Sequence, residues 1–189
     1  MTITTTRRIL LIGRVPAINQ RVVAQLGARG ADVVGAAGEG SFPELDARGF
    51  DLVAIGAGVD PETRASLKQR FRAQHPDVLL LDVYGPLATE QIYTILRRAS
   101  GTPALAEDIA LGDAGEVVQV HVTVRQSCRL RLDVHRHRGS PEPEVIPVAA
   151  VQAIAGVHTF AVARAFTGEG HMLIVRADDD VEVRRLTAG

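Results

Sequence analysis

Residues 49–56 read Gly49-Phe50-Asp51-Leu52-Val53-Ala54-Ile55-Gly56. An unbroken apolar run between an acidic residue and a glycine describes a strand covered on both faces, as inside a parallel sheet. Just beyond it, Asp60-Pro61-Glu62 is a helix start. It offers a capping carboxylate, a proline whose missing N–H is not needed in the first turn, and an acid near the positive end of the dipole. Strand, glycine-rich turn and helix make one βα unit.

The same order extends in both directions. Upstream, Arg8-Ile9-Leu10-Leu11-Ile12-Gly13 forms a first strand, and Pro16 opens a helix with Ile18, Val22 and Leu26 on one face and Val23 beside them. Gly27 and Gly30 bracket its end. Ala31 to Ala36 is a weaker second strand, and Ser41 to Gly49 a short helix with Leu45 inward. Downstream, the helix from Asp60 buries Leu67 and Phe71, turns Arg64, Lys68 and Arg72 to solvent, and stops before His75-Pro76. Val78 to Val83 is a fourth strand, and Thr89 caps a last helix carrying Ile92, Ile95 and Leu96. Alternating strands and helices argue for a parallel sheet covered by helices.

Composition changes between Ser100-Gly101-Thr102-Pro103 and Gly112-Asp113-Ala114-Gly115, which read as a linker with at most one helical turn near Ala106 to Leu111. Beyond it the apolar period falls to two. Val118, Val120, Val122 and Val124 alternate with polar residues, and so do Cys128, Leu130, Leu132 and Val134. Further strands are expected at Glu144 to Val148, His158 to Phe166, His171 to Arg176 and Val181 to Leu186. Turns fall at Gly139-Ser140-Pro141, Gly156, Gly168-Glu169-Gly170 and Asp178-Asp179-Asp180. Such spacing reads as an antiparallel sandwich. The expected organisation is an α/β domain over residues 1–103, a linker over 104–115 and a β-sandwich over 116–189.

A net charge of −1, with 46% hydrophobic and 23% charged residues, is that of an ordinary globular chain. It supplies no electrostatic case for nucleic acid or an anionic membrane. No apolar run approaches the ~20 residues needed to span a bilayer, and the N-terminal run ending at Ile12 is too short for a secretory signal core. The expected location is cytoplasmic. A single cysteine, Cys128, excludes an intramolecular disulfide framework.

The stretch around Gly56, with the strand and helix order of roughly residues 7–99, resembles the receiver domains of response regulators, members of the flavodoxin-like folds. The resemblance implies strand order 2-1-3-4, followed here by a sandwich similar to immunoglobulin-type modules. In receivers the third strand ends in the phosphoacceptor aspartate; this chain has Gly56. The acidic pair that holds Mg²⁺ after the first strand is replaced by Gly13 and Arg14. After the fourth strand, where receivers carry a Ser or Thr, the sequence runs Asp82-Val83-Tyr84-Gly85. A fifth unit with the customary lysine is not evident. The resemblance therefore implies a pseudo-receiver that does not undergo phosphorylation, while the four-stranded sheet leaves an edge for a second protomer or the C-terminal domain to cover.

Several residues are candidates for a site. In open α/β sheets ligands bind at the carboxyl ends of the strands, which here gather Gly13, Arg14, Gly56, Gly58, Asp82 and Tyr84. Gly56-Ala57-Gly58 before the Asp60 helix can either cradle an anion or make a tight turn. It lacks both the GxGxxG and the phosphate-loop signatures. His121, His135 and His137 are the one candidate metal set, against the plainer reading of a solvated sheet face. Cys128 reads as a buried thiol among Leu130, Leu132 and Val134, and Asp178-Asp179-Asp180 as a charged turn. No nucleophile-base motif is present. The expected role is non-enzymatic: a regulatory scaffold with a protein partner, a homodimer, without cofactor, nucleic acid or membrane. The alternative is a nucleotide- or flavin-like binding or catalytic domain using the glycine-rich crevice.

Overall fold

The computed structural model describes residues 7–137 and 142–186. The expected turn at Gly139-Ser140-Pro141 and the first six residues lie outside them. In the first part, β1 (Arg8–Gly13), β2 (Asp32–Ala37), β3 (Leu52–Gly56) and β4 (Leu79–Val83) form a parallel sheet of order β2-β1-β3-β4. This is the order expected. β3 is central, and Leu52, Val53, Ala54 and Ile55 are all fully buried, which is why the run is unbroken rather than alternating. Leu10, Ile12, Val53 and Ile55 pack with Leu67 and Phe71 in one core. Each large apolar side chain withdrawn from water there contributes about 1.5–3 kcal/mol.

Helix α1 (Pro16–Gly27) begins on proline after an extended Val15 with no side-chain cap. Its buried face is Asn19, Val22 and Leu26, at spacings of three and four, so the inward stripe starts one residue later than expected and Ile18 sits at its margin. Helix α2 (Pro61–Gln74) starts as read: the Thr63 N–H donates to Asp60 Oδ1 at 2.8 Å. Leu67 and Phe71 face inward. Between β2 and β3 the chain makes a 3₁₀ turn over Glu39–Glu44, ahead of the helix expected there. Helix α3 (Ala88–Ala99) follows a second short turn, so Thr89 lies inside it and hydrogen-bonds Gln25 in place of capping.

The chain divides into two compact units, Met1–Ile92 and Tyr93–Gly189. The division falls within α3, not near residue 103. The second unit contains β5 (Ala106–Ala114), β6 (Val117–Val124), β7 (Cys128–Arg136), β8 (Glu144–Ala153), β9 (Gly156–Ala163), β10 (His171–Ala177) and β11 (Asp180–Arg185). They make two antiparallel sheets, β11-β10-β7-β8 and β5-β6-β9. Val120, Val122, Val124 and Val162 of one sheet share a core with Leu130, Leu132, Val134, Leu173 and Val175 of the other, so this is a sandwich. The fourth strand, β8, pairs with β7; in constant-type immunoglobulin domains it joins the opposite sheet.

The expected linker over 104–115 is corrected: most of it is β5. Its pairing with β6 is interrupted by a bulge between Glu107 and Ala110, with Asp108 at φ 47°. The bulge breaks the alternation of inward residues, which hides a strand from a period-two search. A second bulge, opposite Leu132 and Asp133, lets β8 continue to Ala153, well beyond the expected end at Val148.

Candidate functional site

The order reverses between β1 and β3, so any crevice of the parallel sheet opens where these strands end. Gly13 and Gly56 meet there. A Cβ on Gly56 would stand 3.3 Å from the Ile12 carbonyl oxygen and 3.7 Å from Gly13 Cα; one on Gly13 would stand 3.2 Å from Asn19 Nδ2. On Gly35, in β2, it would lie 2.4 Å from Asn19 Oδ1 and 2.9 Å from Val23 Cγ2. All three glycines admit close neighbours from within the chain.

Asn19 is the reason. It is buried, and its Nδ2 donates to the Leu11 carbonyl at 3.1 Å and the Ala36 carbonyl at 3.0 Å. It thereby ties α1 to the carboxyl ends of β1 and β2. No motif singles out Asn19; only its spacing from Val22 and Leu26 places it on the inner face of the helix.

The other expected crevice residues do not converge. Asp82 is taken up by α2: Lys68 Nζ lies 2.6 Å from Oδ2, and Arg64 Nη1 3.9 Å from Oδ1. Arg64 and Lys68, expected in solvent, are correspondingly half-buried or less exposed. Tyr84 is buried, and burial pushes its phenol well above its ordinary value. Its backbone N–H donates to Gln91 Oε1 at 2.7 Å. Arg14 and Gly58 are exposed, and a Cβ on Gly58 would meet open space. The Asp60 carboxylate, held below its usual range by hydrogen bonds from Thr63, is committed to capping α2.

The histidines are separated. His121 alternates with core residues Val120 and Val122 and points from the outer face of the three-stranded sheet, where Nδ1 lies 3.0 Å from Thr159 Oγ1. His135 alternates with Val134 and belongs to the outer face of the other sheet. Sandwich sheets stand about 10 Å apart, so the core lies between these imidazoles and no three-histidine centre forms. Among the described residues no group of three or more His, Cys, Asp or Glu is placed to hold a metal ion. Burial depresses the His135 pKa below its ordinary value; Asp133 opposes the shift, while Arg176, His137 and Arg131 add to it. Cys128 is buried, its thiol raised first by desolvation and then by Asp178 and Asp180.

The acidic turn conceals an arrangement its sequence does not announce. Asp178 and Asp179 make the turn between β10 and β11, and Asp180 is buried. Asp180 pairs with Arg97, lies 3.5 Å from Arg98 Nη2, and accepts from the Leu105 N–H at 3.3 Å. Arg98 Nη1 also reaches Glu182 at 2.5 Å, and the Val181 N–H donates to Thr94 Oγ1 at 3.0 Å. The end of α3 is thus fastened to β11. This explains why the second unit begins at Tyr93.

No protein-family model and no curated protein matches the chain. Among solved structures it is similar to a β-glucosidase from Bifidobacterium adolescentis at 12% identity and a TM-score of 0.31, over 97% of this chain and 50% of that one. It is similar to a β-glucosidase from Erythrobacter marinus at 9% identity and a TM-score of 0.37, over 97% of this chain and 46% of that one. A structural-genomics protein from Agrobacterium tumefaciens is similar at 11% identity and a TM-score of 0.38, over 100% of this chain and 98% of that one. The chain spans about half the length of the two glucosidases. Among the described residues no helix is long and apolar enough to cross a membrane.

Proposed function

We propose that this chain is a non-enzymatic pseudo-receiver: a cytoplasmic scaffold that acts through protein contacts, as a homodimer. The observation that carries the reading is the state of the strand ends. The position matching a receiver's phosphoacceptor is Gly56, packed against the Ile12 carbonyl and beside Gly13. Asn19 closes the adjoining ends of β1 and β2 with its own side chain. Asp82 is bound to α2 by Lys68 and Arg64, and Tyr84 is buried. Gly13 and Gly56 are accounted for by internal packing, which weighs against the nucleotide or flavin alternative.

The test is native mass spectrometry of the purified chain beside the same sample denatured. The expected native species has the mass of the polypeptide or a multiple of it. A discrete excess mass lost on denaturation would overturn the scaffold reading and favour a ligand-binding domain.

A further inference from the structure

We infer that His135, His137 and Met172 form a binding site for one soft monovalent metal ion, Cu(I), on the outer face of the four-stranded sheet of the second unit. The inference goes beyond the scaffold reading and does not depend on it. In the register of β7 with β10, His135 stands opposite Met172, and their neighbours Val134 and Leu173 both belong to the core. The imidazole and the thioether therefore share the outer face. Residues directly opposite on such a pair have Cβ atoms about 4.5–5.5 Å apart, and long side chains also reach across the diagonal. His137 lies on that diagonal. Its N–H donates to the Gly170 carbonyl at 3.3 Å, which carries the pairing of the two strands one step past the end of β7. A Cβ on Gly170 would stand 4.0 Å from His137 Cβ, so the residue facing His137 is one that puts no side chain beside it.

The donors select the ion. Two imidazoles alone would suit several transition metals, and the thioether tips the set toward Cu(I). None of the three donors is anionic. Arg176 and Arg131 place positive charge near His135, and the carboxylate on the same face, Asp133, is taken up by Arg131, whose Nε lies 2.8 Å from its Oδ2. Surroundings of that sign oppose a dication such as Zn(II) twice as strongly as a single positive charge. Access is from the far end of β7, because His135 is buried while His137 and Met172 are partly exposed. The thiol of Cys128, the other soft donor, belongs to the core and so to the opposite face of β7.

The test titrates the full chain, stripped with chelator, against Cu(I) buffered by the colorimetric chelator bicinchoninate under anaerobic conditions. The unaltered chain should withdraw one Cu(I). Met172→Leu and His137→Gln should each weaken that affinity by at least about tenfold, with circular dichroism unchanged. Cys128→Ala, and His121→Gln on the other sheet, should bind as the unaltered chain does. Cu(I) is diamagnetic, so the Met172 ε-methyl and His137 ring resonances should shift together as it is added. Four results would overturn the inference: no withdrawal of Cu(I), retention of full affinity in both M172L and H137Q, loss of binding in C128A, or Zn(II) held as tightly as Cu(I). Stripping the chain first keeps bound copper apart from any ligand of the Gly13 and Gly56 crevice, so failure here remains distinct from failure of the scaffold reading.

Discussion

Replacing Asn19 by alanine removes the donor that two strand-end carbonyls share, those of Leu11 and Ala36. Both bonds sit where α1 covers the sheet, and Asn19 is only 5% exposed. Each of these buried hydrogen bonds contributes about 0.5–1.5 kcal/mol net, so Asn19→Ala should destabilise the first unit by about 1–3 kcal/mol. Gly35→Ala presses on the same side chain from below, since its Cβ would fall 2.4 Å from Asn19 Oδ1 and 2.9 Å from Val23 Cγ2. Overpacking of that kind costs about 1–3 kcal/mol. The two changes should not add. With alanine at position 19 the nearer obstacle is gone and only the Val23 contact remains, so the double variant should recover about 1 kcal/mol relative to the sum. Urea unfolding followed by far-ultraviolet circular dichroism measures this, because α1 and α2 carry the helical signal of the first unit. Additivity within about 0.5 kcal/mol would refute the claim that Asn19 is what the missing Cβ of Gly35 accommodates.

Asp180→Ala leaves Arg97 and Arg98 without their shared carboxylate and the Leu105 N–H without its acceptor. The expected loss is about 2–3 kcal/mol, less than for a fully sealed pair because Arg97 is partly exposed; denaturant unfolding of the second unit reads it, and a loss under about 0.5 kcal/mol contradicts the fastening role. His135 gives a pH dependence. Its folded pKa is depressed, so above the ordinary value of 6.5 the group is neutral in both states and its contribution is fully present. As pH falls from 6.5 toward the folded value, the unfolded chain binds the proton first and stability declines. His135→Gln should flatten that decline, and a titration shift of the His135 ring at or above 6.5 by nuclear magnetic resonance would contradict it.

The sequence was most legible where one local pattern had one physical meaning. The run from Leu52 to Ile55 could only be a strand covered on both faces, and Asp60-Pro61-Glu62 could only begin a helix; both lie where expected. Alternation along β6 and β7 likewise identified the inward residues, because one face of each strand meets a shared core. What the local pattern could not carry was pairing at a distance. β5 and the length of β8 were hidden by bulges, which change the period of two only because a partner strand sets the register. Asp82, Tyr84 and the three histidines were grouped by position along their strands. Their surroundings depend on which helix or sheet face lies opposite.

Sequence alone therefore determined the buried strand at Leu52–Gly56, the helix start at Asp60 and the order of the two parts, since these follow from residue chemistry and short-range periodicity. Tertiary structure alone decided that Asn19 closes the strand ends, that Asp180 holds Arg97 and Arg98, and that His121 and His135 face apart. Each of those depends on elements separated along the chain, with positions set by the packing of the whole fold.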